Sequence, residues 1–101
     1  MKIDVSDITD NILNDAEITN ELLIELTAKT TLDAQADLMK ATPVDTGEAR
    51  GGWEAITPTE PYQEGVIENN VEHIVYLNDG HSDQAPEGFV ENIVQRYNHG
   101  G

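Results

Sequence analysis

Residues 15–41 contain no proline or glycine, and their apolar positions recur at three- and four-residue intervals. That spacing predicts one long helix. Asn14 followed by Glu17 has the form of a capping box, and an acidic first turn suits the helix dipole. Glu25 and Lys29 form an i,i+4 pair in the favourable orientation. The apolar residues fall on two sides of this helix. Ile18, Leu22 and Leu26 make one stripe, continued by Leu32, Ala36 and Met39, while Leu23, Ala34, Leu38 and Ala41 lie elsewhere. Packing on a single sheet face needs a narrower stripe. The breadth therefore predicts a helix that touches its own sheet and also a neighbouring subunit. The plainer alternative is a helix half sunk in its own domain, with its outer alanines merely tolerated.

Beyond residue 41 the period changes. Pro43 disfavours helical geometry at Thr42, so the helix should stop there. Asp45 can fold its carboxylate back onto following backbone N–H groups, and Gly47 can take the positive φ of such a turn. Gly51 and Gly52 permit a bulge or a close backbone approach. Residues 52–57 then read as a strand pinned by Trp53, the single tryptophan. Residues 62–68 and 71–77 read as two more strands joined at Asn69-Asn70. Turn residues dominate 78–88, predicting an exposed loop. After Pro86, residues 87–97 predict a helix with Phe89, Val90, Ile93, Val94 and Tyr97 on its apolar face. Residues 1–14 read as an arm or short helix capped by Ser6, and 98–101 as a frayed tail. The expected organisation is that arm followed by a single α+β domain over 15–101. In it a long helix packs on a small antiparallel, curved sheet, with a short C-terminal helix.

Charge sharpens this picture. Twenty acidic side chains face five basic ones, for a net charge of −15. Between Arg50 and Arg96 there is no cation, yet the interval holds Glu54, Glu60, Glu64, Glu68, Glu72, Asp79, Asp83, Glu87 and Glu91. Such a surface repels phosphates, which argues against specific nucleic-acid binding. A solvated acidic surface is the commoner explanation. A channel wall that DNA passes without sticking, and mimicry of DNA charge, are the sharper ones. Absence of cysteine excludes disulfides and cysteine chemistry and fits assembly in a reducing cytoplasm. No apolar run has membrane-spanning length, and the N-terminus lacks the apolar core of a signal peptide.

Little in the chain points to catalysis. No phosphate-binding glycine pattern occurs. Asp79, His81 and Ser82 contain the residue types of a hydrolytic triad, but adjacent residues on one loop seldom converge on a point. Asp79, His81 and Asp83 alternate and offer oxygen and imidazole ligands, without a calcium-loop or closed zinc pattern. Neither set predicts a site, so no enzyme activity, metal or cofactor is expected. His73 reads as an exposed strand residue and His99 as part of the tail. Glu17, Glu21 and Glu25 read as a solvated ridge. Arg50, a scarce cation inside the turn, should pair with Asp45, Glu48 or an acid on another subunit. Tyr62, Tyr76, Tyr97 and Phe89 read as core or interface anchors, because aromatic residues without basic neighbours make poor nucleic-acid platforms.

Two strings also carry a resemblance. Pro43-Val44-Asp45-Thr46-Gly47-x-x-Arg50, after a long helix, resembles the signature of small tail-completion (neck) proteins of long-tailed bacteriophages. Val75-Tyr76-Leu77-Asn78-Asp79-Gly80-His81-Ser82 and then Gln84-Ala85-Pro86-Glu87-Gly88-Phe89-Val90 resemble that family's later segment. Ala49 stands where the family commonly has Leu, and the acid before Gly80 lies one step further on. The resemblance implies a structural virion protein on a long-helix-and-curved-sheet fold, assembled in the bacterial cytoplasm. It implies a homo-oligomeric ring, sixfold or a multiple, around the DNA channel at the head–tail junction. Neighbouring neck, connector, tail-terminator or tail-tube proteins would be its partners, and DNA would pass through the lumen. Pro43, Asp45, Thr46, Gly47, Arg50, Trp53, Tyr76, Gly80, His81, Ser82, Gln84, Pro86, Gly88 and Phe89 are its motif or interface residues. The alternative from composition alone is a small acidic inhibitor that mimics DNA.

Overall fold

The computed structural model describes residues 1–5, 19–43, 47–80 and 85–98. Its elements are β1 (Lys2–Val5), α1 (Asn20–Ala41), α2 (Glu48–Gly51), β2 (Trp53–Ile56), β3 (Gly65–Asn69), α3 (His73–Asn78) and α4 (Phe89–Asn98). The fold is α+β: the long α1 lies on a small, open, three-stranded antiparallel sheet, and the short α4 packs beside it.

Helix α1 begins later than its periodicity suggests. Thr19 is extended, and its hydroxyl accepts the Leu22 N–H at 3.1 Å. An N-cap residue must leave helical geometry to serve an orphan amide in this way. The start expected near residue 15 is corrected to Asn20, and the Asn14–Glu17 box lies outside the described residues. The buried side of α1 is Leu23, Thr27, Thr31, Ala34 and Leu38, so the stripe containing Leu23, Ala34 and Leu38 faces the core. Leu22, Leu32 and Ala36 of the other stripe are exposed. Two threonines complete the inner face. Thr31 Oγ1 donates to the Thr27 carbonyl at 2.7 Å, so a polar group is enclosed without losing its bond. Lys29 pairs with Asp33 at 2.8 Å rather than with Glu25. One ammonium stands between carboxylates a turn away on either side, and at this exposure the choice is worth only a fraction of a kcal/mol.

The strand order is β1-β3-β2. Ile67 at the centre faces Ile3 on one side and Ala55 on the other. Gly65, Ile67 and Asn69 are buried, while Val66 and Glu68 between them are only half-buried, as alternation in a strand requires. The arm or short helix expected over residues 1–14 is corrected where it is described, since Lys2–Val5 is a paired strand. Its alternation of Lys2, Ile3 and Asp4 has period two but is too short to stand out. The Met1 ammonium donates to the Asn69 carbonyl, and the Asn69 N–H returns a bond to Met1, both at 2.8 Å. Gly65 lets α1 come close. A β-carbon there would lie 1.8 Å from Thr31 Oγ1 and 3.0 Å from Thr31 Cβ.

Residues 71–77, expected as a strand hairpinned to its neighbour, instead lead into and make up most of helix α3, His73–Asn78. Ile74, Leu77 and Asn78 are its buried residues, an i, i+3, i+4 set. Val71, Ile74, Val75 and Tyr76 favour strands in isolation, but packing overrides that preference. Asn69 redirects the chain: its side chain accepts the Val71 N–H at 3.0 Å and donates to the Ala49 carbonyl at 2.7 Å. Before β3, Gln63 Oε1 closes the connecting loop onto the N–H groups of Thr59 and Glu60, while exposed Tyr62 holds a φ of 68°. The turn-rich stretch 78–88 is also less exposed than expected, since Asn78 and Ala85 are buried. Helix α4 buries Phe89, Val90 and Ile93, with Val94 and Tyr97 packed at the margin. Together with Ala34, Leu38, Trp53, Ile67, Ile74 and Leu77 they form one continuous core.

Candidate interaction surfaces

The turn after α1 is built around Thr42. The residue is extended, and its N–H and hydroxyl both donate to the Leu38 carbonyl, at 3.0 and 2.6 Å. The Trp53 indole N–H then donates to the same hydroxyl at 2.8 Å. The helix stop predicted from Pro43 is therefore also the point where the first strand after α1 is fastened. Gly47 takes a φ of 66° and leads into α2, a single helical turn that the two following glycines gave no sign of. Ala49 is fully buried there, and Gly52 is the close approach: a β-carbon would sit 2.7 Å from Val71 and 2.8 Å from Asn69. Trp53 and Phe89 are core residues. Arg50 is half-exposed rather than buried, and it makes no ion pair with a carboxylate among the described residues. Asp45 and Thr46 lie outside them.

A second assembly of polar bonds closes the loop between α3 and α4. The Asn78 carbonyl accepts the Gly88 N–H at 2.8 Å. Its side-chain carbonyl takes the Val90 N–H at 3.0 Å, satisfying an amide at the start of α4 that no intrahelical partner can reach. Its amide donates to both carboxylate oxygens of Glu91, at 3.0 and 2.8 Å. Gly80 and Gly88, at φ of 93° and 73°, turn the chain on either side. Both ends of the loop are thus pinned to one buried asparagine, and Pro86 is exposed beside it. His81, Ser82, Asp83 and Gln84 lie outside the described residues, and with them the two sets of catalytic or metal-ligating types. The only signal for Asn78 in the sequence was its helical spacing from Ile74, which strand-favouring neighbours masked.

Two surfaces that mix apolar and charged residues face outward. On α1 the exposed residues over 28–41 are Lys29, Leu32, Asp33, Ala36 and Lys40. Elsewhere Glu48, Val71, Glu72, His73 and Tyr76 line a shallow groove of about 550 Å³. The His73 and Tyr76 rings stack in it with centroids 5.2 Å apart. His73 is therefore a half-buried helical residue, not an exposed strand residue. Glu54, Glu60, Glu64, Glu72, Asp79, Glu87 and Glu91 are all exposed.

One ionisable group is clearly perturbed. Tyr97 Oη donates to Asp37 Oδ2, tying α4 to α1. Burial, that hydrogen bond and the charges of Asp37 and Asp33 push its pKa up to about 12, against the opposing pull of Arg96. Among the described residues no group of three or more acidic or histidine side chains could hold a metal ion. No helix among them is long and apolar enough to cross a membrane. No protein-family model, curated protein or solved structure matches this chain.

Proposed function

We propose that the chain is a structural, non-enzymatic bacteriophage virion protein, a tail-completion or neck component that forms a ring around the DNA channel at the head–tail junction. The observation that carries this is the position of the Pro43 to Arg50 string. In the chain it follows the end of the long α1 and runs into α2, just before strand β2, the setting the resembled family's signature would occupy. Further support comes from α1, where Leu22, Leu32 and Ala36 of the outer stripe stay exposed while Leu26 and Met39 are half-buried. Identical copies joined through two different patches close into a ring when the rotation between them permits. The exposed carboxylates of the 54–91 interval would repel DNA phosphates from a lumen wall and let the duplex slide. Neighbouring neck, terminator or tail-tube proteins would meet the pinned loop after α3.

The test is the mass of the purified protein in solution together with imaging of intact phage particles. Closed oligomers, and matching density along the channel near the head, are the expected results. A persistent monomer that blocks a DNA-binding enzyme in a salt-sensitive way would overturn the ring and favour charge mimicry instead.

A further inference from the structure

We infer that the outer face of α1 on one copy seats on the α2–α3 groove of the next, making a head-to-tail contact. The inference rests on the self-assembly part of the function proposed above and names the surfaces that carry it. Charge selects the first surface. A chain of net charge −15 repels its own copies unless the contact is locally cationic. Of the exposed residues in the 28–41 stretch, Lys29 and Lys40 are cations and Asp33 is the one carboxylate, while Asp37 is half-buried and bonded to Tyr97. Leu32, at 48% exposed, and Ala36 lie among them. The Lys29–Asp33 pair is wet and weak, so the lysine can be re-partnered at small cost.

The groove offers the complementary chemistry. Glu48 and Glu72 supply two exposed carboxylates, and Val71 and the stacked His73–Tyr76 rings supply an apolar floor. Val75 and Tyr76, 49% and 50% exposed, extend that surface along α3. An ammonium between two carboxylates and beside a tyrosine face gains from both. Leucine against valine and tyrosine removes apolar area from water. A copy that uses the two patches on two different neighbours makes a heterologous contact that propagates, whereas a pair of copies that exchange both patches stops at a two-fold dimer.

The absence of cysteine makes this directly testable. Leu32→Cys and Val75→Cys each alter an exposed side chain, and unchanged melting curves would verify that both variants fold. The two variants, mixed under mild oxidation, should give a covalent dimer containing one copy of each. Either variant alone should give little. Efficient cross-linking of Leu32→Cys to itself, or a parent protein that stops at a dimer by light scattering, would overturn the head-to-tail arrangement in favour of a two-fold one. A parent protein that is oligomeric by light scattering, with no mixed cross-link, would overturn the pairing of surfaces while leaving the ring in place. A protein monomeric at every concentration would overturn both.

Discussion

Leu38 and Leu32 sit on the same helix and meet opposite surroundings: Leu38 is wholly enclosed by the core, while Leu32 is 48% exposed. The inner face of α1 is joined by Thr27 and Thr31 and fits against a strand from which the side chain has been deleted at Gly65. The outer face mixes leucine, alanine and charge, with no partner in its own domain among the described residues. Aliphatic content alone does not distinguish them. What separates them is the shape and charge of what lies between the leucines: small or self-satisfied polar residues inside, long solvated ones outside.

Substituting the two leucines identically should break the comparison open. Leu38→Ala should cost about 3 kcal/mol in urea unfolding, from lost burial plus the cavity left behind. The same change at Leu32 should stay within about 0.5 kcal/mol. Equal losses would mean the inner and outer faces are wrongly assigned. Gly65→Ala comes next, at about 2–3 kcal/mol from overpacking. Rotating the Thr31 side chain does not relieve it, because Thr31 Cβ itself lies 3.0 Å from the new atom. Adding Thr31→Ala should recover part of the loss. Strict additivity would show that the helix and strand do not meet there.

Asn69→Ala should cost about 2 kcal/mol by leaving the Ala49 carbonyl and the Val71 N–H without their partner. Hydrogen exchange should speed up at Val71 in that variant. The smallest effect concerns the outer margin of the inner face, where Tyr97 meets Asp37. Its folded pKa, about 12, stands above the ordinary 10.0. Its contribution is therefore fully present below pH 10 and lost as pH rises from 10 to 12. The stability difference between the parent and Tyr97→Phe should shrink across that window. A difference that stays constant would rule out the bond as its source.

The long helix, its stop at Thr42, the Trp53 anchor and the apolar face of α4 were legible because each rests on local chemistry or on a period of several residues. Pro43 acts on its neighbour, and Gly47 acts on itself. Three parts were not legible. β1 is four residues long, too short to establish a period and dependent on β3 for its bonds. α3 is made of strand-favouring residues that become helical because Ile74, Leu77 and Asn78 are needed on one buried side. α2 ends in a pair of glycines, Gly51 and its cap Gly52, that alone suggest only looseness.

The candidate surfaces divide in the same way. Gly80, Pro86 and Gly88 announced a turn, but its attachment through Asn78 spans residues 78 to 91 and joins two helices. Trp53 and Phe89 carried motif positions and turned out to be core, since an aromatic in a sequence string does not say which side of the chain it faces. Glu48 and Tyr76 meet in one groove although they lie far apart in the chain.

By itself, then, the sequence determined the α+β class, the acidic surface, the absence of thiol chemistry and the place where the first helix ends. Only the tertiary structure decided which stripe of that helix is inside, that the first residues pair with the central strand, and that two asparagines fasten the C-terminal half. Local rules act through torsion angles and nearest neighbours, which any chain carries with it. The choice of face and the use of a buried amide depend on partners that exist only once distant segments have met.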